Sequence, residues 1–227
     1  MGLDMYLNRR VGLKSSITHA TDNDNEKVAE ILGGAKVVAS NEVCYWRKFN
    51  ALHKYFIDKF GDDGTDNCRD FELGIEDLRE LLSMLEELRS RIKIGDGYAV
   101  MTTQWLTKKD IGEREAGDVI DGEELKKLNL RDADEITARC VVEEKRGDEY
   151  YVSFQRKNKV VLNTDICEEM LPTEDGFFFG CTEYDEYYVK DIERTIEELK
   201  RIIKEHEALV KSGVDECDIW YYYRAWY

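Results

Sequence analysis

The sequence contains one proline, Pro172, in 227 residues, where an average usage of ~5% would give about eleven. This scarcity excludes long proline-rich linkers, so we expect a compact chain. No run of apolar residues reaches the ~18 that a membrane-spanning helix needs. We therefore expect no membrane segment.

Histidine is also rare, and its three positions are His19, His53 and His206, which leaves few candidates for a histidine-based triad. The six cysteines include no C-x-x-C pair, and the first residues lack the basic and apolar regions of an export signal. We therefore expect a cytoplasmic protein whose reduced thiols serve as small buried apolar residues.

Familiar catalytic and metal-binding signatures are incomplete. Gly95-Asp96-Gly97 lacks the third glycine of a dinucleotide fingerprint and precedes a strand pattern instead of a helix. The helix that begins like a zinc protease at His206 has Val210 where the second ligand would stand. The segment 22–26 starts like a calcium loop, but Lys27 occupies the position that requires glycine. We predict neither a metal nor a cofactor.

The charge balance is strongly acidic, with 33 Lys and Arg against 49 Asp and Glu and a formal net charge of −16. A general nucleic-acid binder needs a net basic face, so the acidic balance argues against this class. Charges of both signs alternate along the whole chain, which is typical of a solvated surface and unlike a DNA mimic.

Apolar residues at helical spacing predict three long helices. The first covers 41–60, the second follows Gly74 and extends to Ile92, and the third begins near Asp185 and ends before Gly213. Thr21–Asp24 resembles a further helix start. These patterns favour a chain in which helices cover one or more sheets.

Alternating apolar residues predict several strands, which fall at 3–7, 36–40, 98–106, 136–142, 151–154, 160–162, 177–179 and 219–227. We therefore predict an α+β fold with an antiparallel or mixed sheet, packed by about three long helices. Residues 1–95 and 164–227 would together form one α+β core domain, and 96–163 a β-rich insertion.

The predicted helix 41–60 carries a row of unusual side chains beside its apolar stripe. Trp46, Asn50, His53 and Ile57 follow helical spacing, and Arg47 lies next to them. An indole, an amide and an imidazole can stack on a flat ring and bind its edge, while Arg47 can meet an anionic group. Alternatively, the row lies at the margin of the core.

A second candidate segment covers 176–188, where glycines bracket a predicted strand that enters a helix. Four of its residues are candidate ligand contacts, namely Phe179, Thr182, Glu183 and Tyr184. Asp185 is either the cap of the following helix or a catalytic carboxylate.

The chain ends in a run of aromatic residues between Trp220 and Tyr227. Alternate rings of a strand face opposite sides, so one set is expected to fill the core. The other set would form a stacking wall or the face of a homo-oligomer.

Three stretches are distinctive together: MGLDMYL at 1–7, EVCYWRKFNALH at 42–53 and LPTEDGFFFGCTEYDEYY at 171–188. With the aromatic ending, they resemble a family of small phage and prophage proteins of unassigned activity. The resemblance covers about half of the chain, and 96–163 has no counterpart in it.

The resemblance implies a setting in the cytoplasm of an infected host, where accessory proteins often counter defence. Our leading hypothesis is a non-enzymatic protein that sequesters a small nucleotide-like ligand without cleaving it. One alternative is a nucleotide-directed hydrolase that uses His53 with Glu183 or Asp185 as acid and base. Another is an acidic inhibitor that binds a host defence protein.

Overall fold

The computed structural model describes residues 2–13, 37–61, 68–127 and 137–227. Within them, strands and helices alternate in an α+β arrangement, which confirms the predicted fold class. The elements are β1 Asp4–Leu13, β2 Val37–Arg47, α1 Asn50–Phe60, β3 Phe71–Leu73, α2 Ile75–Arg91, β4 Ile94–Thr107, α3 Lys108–Ile111, β5 Val119–Asp121, α4 Gly122–Lys127, β6 Arg139–Arg146, β7 Glu149–Val161, α5 Thr164–Met170, α6 Glu186–Lys211 and β8 Ile219–Trp226. The helix predicted near Thr21 lies outside the described residues.

The chain divides into two compact units. The first comprises Met1–Arg91, Asp165–Thr182 and Lys190–Tyr227, and the second comprises Ile92–Thr164 and Glu183–Val189. Each unit contains one four-stranded antiparallel sheet, with the strand order β2-β1-β8-β3 in the first and β4-β7-β6-β5 in the second. The domain boundaries expected from the sequence remain a prediction.

One face of the first sheet forms the core of its unit. Met5 lies opposite Trp46 on β2 and Ala225 on β8, and all three side chains are buried. On β8, Tyr221 and Tyr223 point to the same face and are fully buried, while the alternate Trp220 and Tyr222 are only half-buried. The terminal aromatic run therefore fills the core with one of its two sets, as alternation predicts.

Two helices pack against this buried face. Phe56 of α1 stacks on Tyr223 with 4.1 Å between ring centroids. From α6, Thr195 accepts a hydrogen bond of 2.9 Å from the indole nitrogen of Trp46. Burial of large aromatic rings is the main source of stability in such a layer.

The helix α2 follows Gly74 as predicted, and its inward side carries leucines at helical spacing that are almost fully buried, namely Leu78, Leu81, Leu85 and Leu88. On its outer side, Glu80 pairs with Lys59 of α1 at 2.8 Å, and Arg89 pairs with Glu193 of α6 at 2.7 Å. These exposed pairs contribute little each, so the leucines carry the packing.

The second unit has a separate apolar core. It is formed by residues of β4, β5, β6 and β7 together with Ile111 of α3 and Leu125 of α4. The β6–β7 hairpin turns at Gly147, whose φ of 61° lies in the left-handed region that favours glycine. The turn joins the predicted strands at 136–142 and 151–154.

Three local predictions are wrong. Residues 41–47 belong to β2, so the helix begins only at Asn50. The predicted strands at 151–154 and 160–162 form one strand, β7, because its polar residues 156–159 keep pairing with β4. Residues 177–179 form a turn, and the side chain of Phe177 is 96% exposed.

All six cysteines are free thiols, as expected. Cys44, Cys140 and Cys167 are buried, whereas Cys181 and Cys217 are exposed. The expectation that they serve as buried apolar residues therefore holds for half of them. Burial raises the pKa of Cys44 to about 12 and that of Cys140 to about 11, so both stay protonated at neutral pH. Among the described helices, none is long and apolar enough to cross a membrane.

Candidate functional site

The first two distinctive stretches and residues 171–182 of the third meet in the first unit. The backbone nitrogen of Leu3 donates to the carbonyl of Phe178 at 3.0 Å, and that of Lys48 donates to the carbonyl of Leu3 at 2.8 Å. The start of β1, the end of β2 and the loop before Thr182 are thus joined by backbone hydrogen bonds. We call the region formed by residues 2–3, 47–53 and 174–182 the corner.

Asn50, the first residue of α1, holds the loop of the corner in place. Its side-chain nitrogen donates to the carbonyls of Phe179 at 3.2 Å and Cys181 at 2.8 Å. Its side-chain oxygen accepts from the backbone nitrogen of Glu174 at 3.3 Å. The residue is 2% exposed. Asn50 therefore positions the loop, and its amide is already engaged by the protein.

His53 lies one turn further along α1, and its ring is 1% exposed. Its Nδ1 is 2.7 Å from the hydroxyl of Tyr223 on β8. The ring also packs edge-on against Phe179, at 5.2 Å between centroids, and against Tyr227, at 6.2 Å. The imidazole of His53 is therefore a buried part of the core, and it packs against Phe179 of the 174–182 loop.

Trp46 is 1% exposed and lies on β2, not on a helix. The row that the sequence predicted on one helix face is therefore broken, because a strand turns successive side chains to opposite sides. Trp46 points into the core, whereas Arg47 and Lys48 after it are exposed. Of the predicted row, only Asn50, His53 and Ile57 share a helix.

Arg47 and Lys48 form the exposed cationic part of the corner. The Nε of Arg47 is 3.7 Å from Asp4, an ion pair that water screens. The side chain of Lys48 has no ion-pair partner among the residues that the structure describes. Lys48 has a φ of 60°, which is uncommon for a residue other than glycine. Such backbone conformations cluster at functional sites.

Gly180 makes the close approach of the loop to Lys48 possible. Its φ is 95°, and a Cβ added there would lie 3.0 Å from the Cβ of Lys48. A side chain at this position would therefore push the loop away from the cations. Around Gly180, the turn tip Phe177 and the following Cys181 and Thr182 are exposed.

The remaining predicted contacts, Glu183 and Tyr184, belong to the second unit. The carbonyl of Tyr184 accepts a hydrogen bond of 2.9 Å from the backbone nitrogen of Val161. Burial, followed by the nearby Asp185 and Glu143, raises the pKa of the Glu183 carboxyl above its usual range. A raised carboxyl pKa is compatible with a functional role, but a structural cluster of acids has the same effect.

Asp185 is the cap of α6. Its Oδ1 accepts hydrogen bonds from the backbone nitrogens of Tyr187 at 2.8 Å and Tyr188 at 3.2 Å. These bonds satisfy donors that a helix start leaves unpaired. Of the two alternatives that the sequence left open for Asp185, this geometry favours the cap.

The groups of the corner can hold an anion but are poorly arranged for catalysis. Its cations are exposed, whereas its imidazole and amide are buried and bonded within the protein. In the part of the chain that the structure describes, no group of three or more His, Cys, Asp or Glu side chains is arranged to bind a metal ion.

Comparisons with known proteins add no relative. No family model, no curated protein and no solved structure matches the chain.

Sequence reasoning missed two features of the corner. The left-handed backbone of Lys48 was missed because it lies between the end of β2 and the start of α1, where the sequence pattern predicts a continuous helix. The exposure of Phe177 was also missed, because three consecutive phenylalanines indicate a buried strand. The neighbouring Pro172 and Asp175-Gly176 were the available signal that the segment turns instead.

Proposed function

We propose that the chain binds and retains a small nucleotide-like ligand at the corner, without cleaving it. The observation that carries the proposal is the pair of exposed cations, Arg47 and Lys48, beside a loop that Asn50 fixes by three hydrogen bonds. Arg47 and Lys48 would bind a phosphate group, and Phe177 would stack on a base. The roles of Trp46, Asn50 and His53 are to position this surface.

The biological setting of this proposal is infection of a bacterial host by a phage. It rests on the resemblance of 1–7, 42–53 and 171–188 to phage and prophage proteins. In that setting, capture of a nucleotide signal in the host cytoplasm would weaken a defence response. The ligand would leave the protein unchanged, because the imidazole of the corner is 1% exposed and cannot act on a ligand without a rearrangement.

The test is isothermal titration calorimetry with adenine and guanine mononucleotides, triphosphates and cyclic dinucleotides. The variant Arg47→Gln/Lys48→Gln should lose at least tenfold in affinity for the ligand that binds. The matched control Lys204→Gln/Lys211→Gln removes the same charge from exposed positions of α6 and should bind normally. Equal affinities for the two double variants would refute the corner as the site.

Retention is tested separately from binding. After overnight incubation with the wild-type protein, the ligand should be recovered intact by liquid chromatography and mass spectrometry. Conversion to a product would instead support the hydrolase alternative, and its loss in His53→Ala would identify the residue responsible.

A second candidate function is capture of a host protein. The specific observation in its favour is the side chain of Phe177, which is 96% exposed at the tip of a turn, since exposed aromatic rings often anchor protein interfaces. A complex that forms without any small ligand, weakens with salt and is lost in Phe177→Ser would support this function over the first.

A further inference from the structure

The second unit contains a depression of about 510 Å³ between the paired strands β4 and β7. It is lined by Asp96, Gly97 and Tyr98 from β4 and by Lys157, Asn158 and Lys159 from β7. This volume lies in the range of small-molecule sites. None of these residues belongs to the corner.

Strand register brings two pairs of lining residues face to face. Tyr98 lies opposite Lys157, and Asp96 lies opposite Lys159. Because directly opposed residues of an antiparallel pair point to the same face, the tyrosine ring and both lysines share one side of the sheet. On the opposite face of the sheet, a Cβ at Gly97 would collide with Val160, so this position of β4 favours glycine.

Two cations on this face form no ion pair with the described residues. Arg139 of β6 stacks its guanidinium on the ring of Tyr98, 3.5 Å from the centroid, and donates to the side-chain oxygen of Gln155 at 2.8 Å. Neither Arg139 nor Lys157 has a carboxylate partner among the described residues. In a chain with a net charge of −16, two unpaired cations on one small surface are unexpected.

The other polar groups of the depression are held in place. Lys159 binds Asp96 at 2.6 Å and lowers the pKa of that carboxyl, so Asp96 stays ionised and can accept a hydrogen bond from a hydroxyl group. The side-chain oxygen of Asn158 accepts from the backbone nitrogen of Lys159 at 2.9 Å, and its nitrogen donates to Asp185 at 3.4 Å. The face that carries Lys157 and Arg139 thus also offers an ionised acceptor, Asp96.

We propose that this depression is a second binding site, for a phosphorylated small molecule that also carries hydroxyl groups, such as a sugar phosphate. Lys157 and Arg139 bind the phosphate, Tyr98 packs against the carbon skeleton, and Asp96 accepts from a hydroxyl. A bare phosphate ion would fill only part of the volume. The site is independent of the corner, because it shares no residue with it.

The test is titration of the full-length protein with ribose 5-phosphate and with inorganic phosphate, followed by amide chemical shifts in NMR spectra. We expect saturable shifts at 96–98 and 157–159, with ribose 5-phosphate binding at least fivefold more tightly than phosphate. The variant Arg139→Gln/Lys157→Gln should weaken both by tenfold or more. In the control Lys109→Gln, which removes an exposed cation of α3, affinity should be unchanged.

Three results would overturn this proposal. They are shifts that grow linearly without saturation, equal affinity in the double variant and the wild type, and perturbation at residues 47–48 in place of 96–98. The two proposals fail separately: Arg47→Gln/Lys48→Gln should leave the ribose 5-phosphate titration unchanged, and Arg139→Gln/Lys157→Gln should leave nucleotide binding at the corner unchanged.

Discussion

The corner of the first unit and the depression of the second unit use polar residues in opposite ways. In the corner, the indole of Trp46, the amide of Asn50 and the imidazole of His53 all bind partners inside the protein. On the face of the depression, Lys157 is exposed and Arg139 is half-buried against Tyr98, and neither has a carboxylate partner among the described residues. Polar side chains of types that often bind ligands can therefore serve only to stabilise the fold, as in the corner. Charged residues on an exposed strand, such as Lys157, remain available to a ligand.

This difference follows from how each sheet is covered. The first sheet packs one face against long helices, so a polar group on that face must find an internal partner or destabilise the fold. The face of the second sheet that carries Tyr98 and Lys157 keeps both side chains exposed, so its cations remain hydrated and available to a ligand. Solvent exposure, and not residue type, therefore decides whether a polar side chain of the corner or of the depression can bind a ligand.

The largest difference between a core residue and an exposed residue is expected for Trp46 and Arg47, which are neighbours on β2. Trp46→Ala should lower the free energy of unfolding by about 3–5 kcal/mol, because it leaves a large cavity and removes the hydrogen bond to Thr195. Arg47→Ala should change it by less than about 0.5 kcal/mol, because its ion pair is exposed. Urea denaturation followed by circular dichroism measures both. Similar losses in the two variants would contradict the assignment of Trp46 to the core.

The role of Asn50 predicts a smaller and more local effect. Asn50→Ala should cost about 1–3 kcal/mol, since it leaves backbone groups of the 174–181 loop unpaired. Amide hydrogen exchange at Leu3 and Phe179 should accelerate. The amide of Leu3 donates to the carbonyl of Phe178 in that loop, and the amide of Phe179 donates to the carbonyl of Gly176. The exposed Asn41→Ala is the matched control and should change neither quantity. Unchanged exchange in Asn50→Ala would mean that other contacts hold the loop.

The smallest effect is expected in the second unit, where burial and the neighbours Asp185 and Glu143 raise the pKa of Glu183 above its ordinary value of 4.5. The folded state then favours the protonated carboxyl, so its contribution is fully present below pH 4.5 and is lost as pH rises through the folded pKa. Glu183→Gln should therefore stabilise the protein at pH 7, by less than about 1 kcal/mol because the group is partly exposed.

Thermal unfolding at pH 4 and pH 7 tests this sign. The advantage of Glu183→Gln over the wild type should shrink toward pH 4, and the exposed Glu149→Gln should show no such change. A destabilised Glu183→Gln at pH 7 would mean that the ionised carboxylate makes favourable contacts that outweigh its repulsion.

The spacing of apolar residues correctly predicted those helices and strands whose pattern is long enough to fit only one of the two. The leucines of α2, the long helix α6 and the alternation of β8 extend over enough residues to decide between helix and strand. The α+β class followed from these elements. That Asp185 caps α6 was one of the two interpretations that the sequence left open.

The error at 41–47 has a physical cause. Tyr45, Phe49 and Leu52 fit a helical stripe, but Cys44 and Trp46 equally fit the alternation of a strand whose inner face is buried. Long-range pairing with β1 decided between the two, and a local pattern contains no information about such pairing. Trp46, Asn50 and His53, predicted as ligand contacts on this helix, are instead buried side chains bonded within the protein.

The central claim is that the exposed cations of the corner hold a nucleotide-like ligand. Its most direct test is native mass spectrometry of wild-type protein and of Arg47→Gln/Lys48→Gln, both purified from bacterial cells and mixed with the nucleotide panel. We expect one ligand bound per chain of the wild type, released unmodified on denaturation, and no bound ligand in the double variant. An adduct that persists in the double variant, or no adduct with any nucleotide, would contradict it.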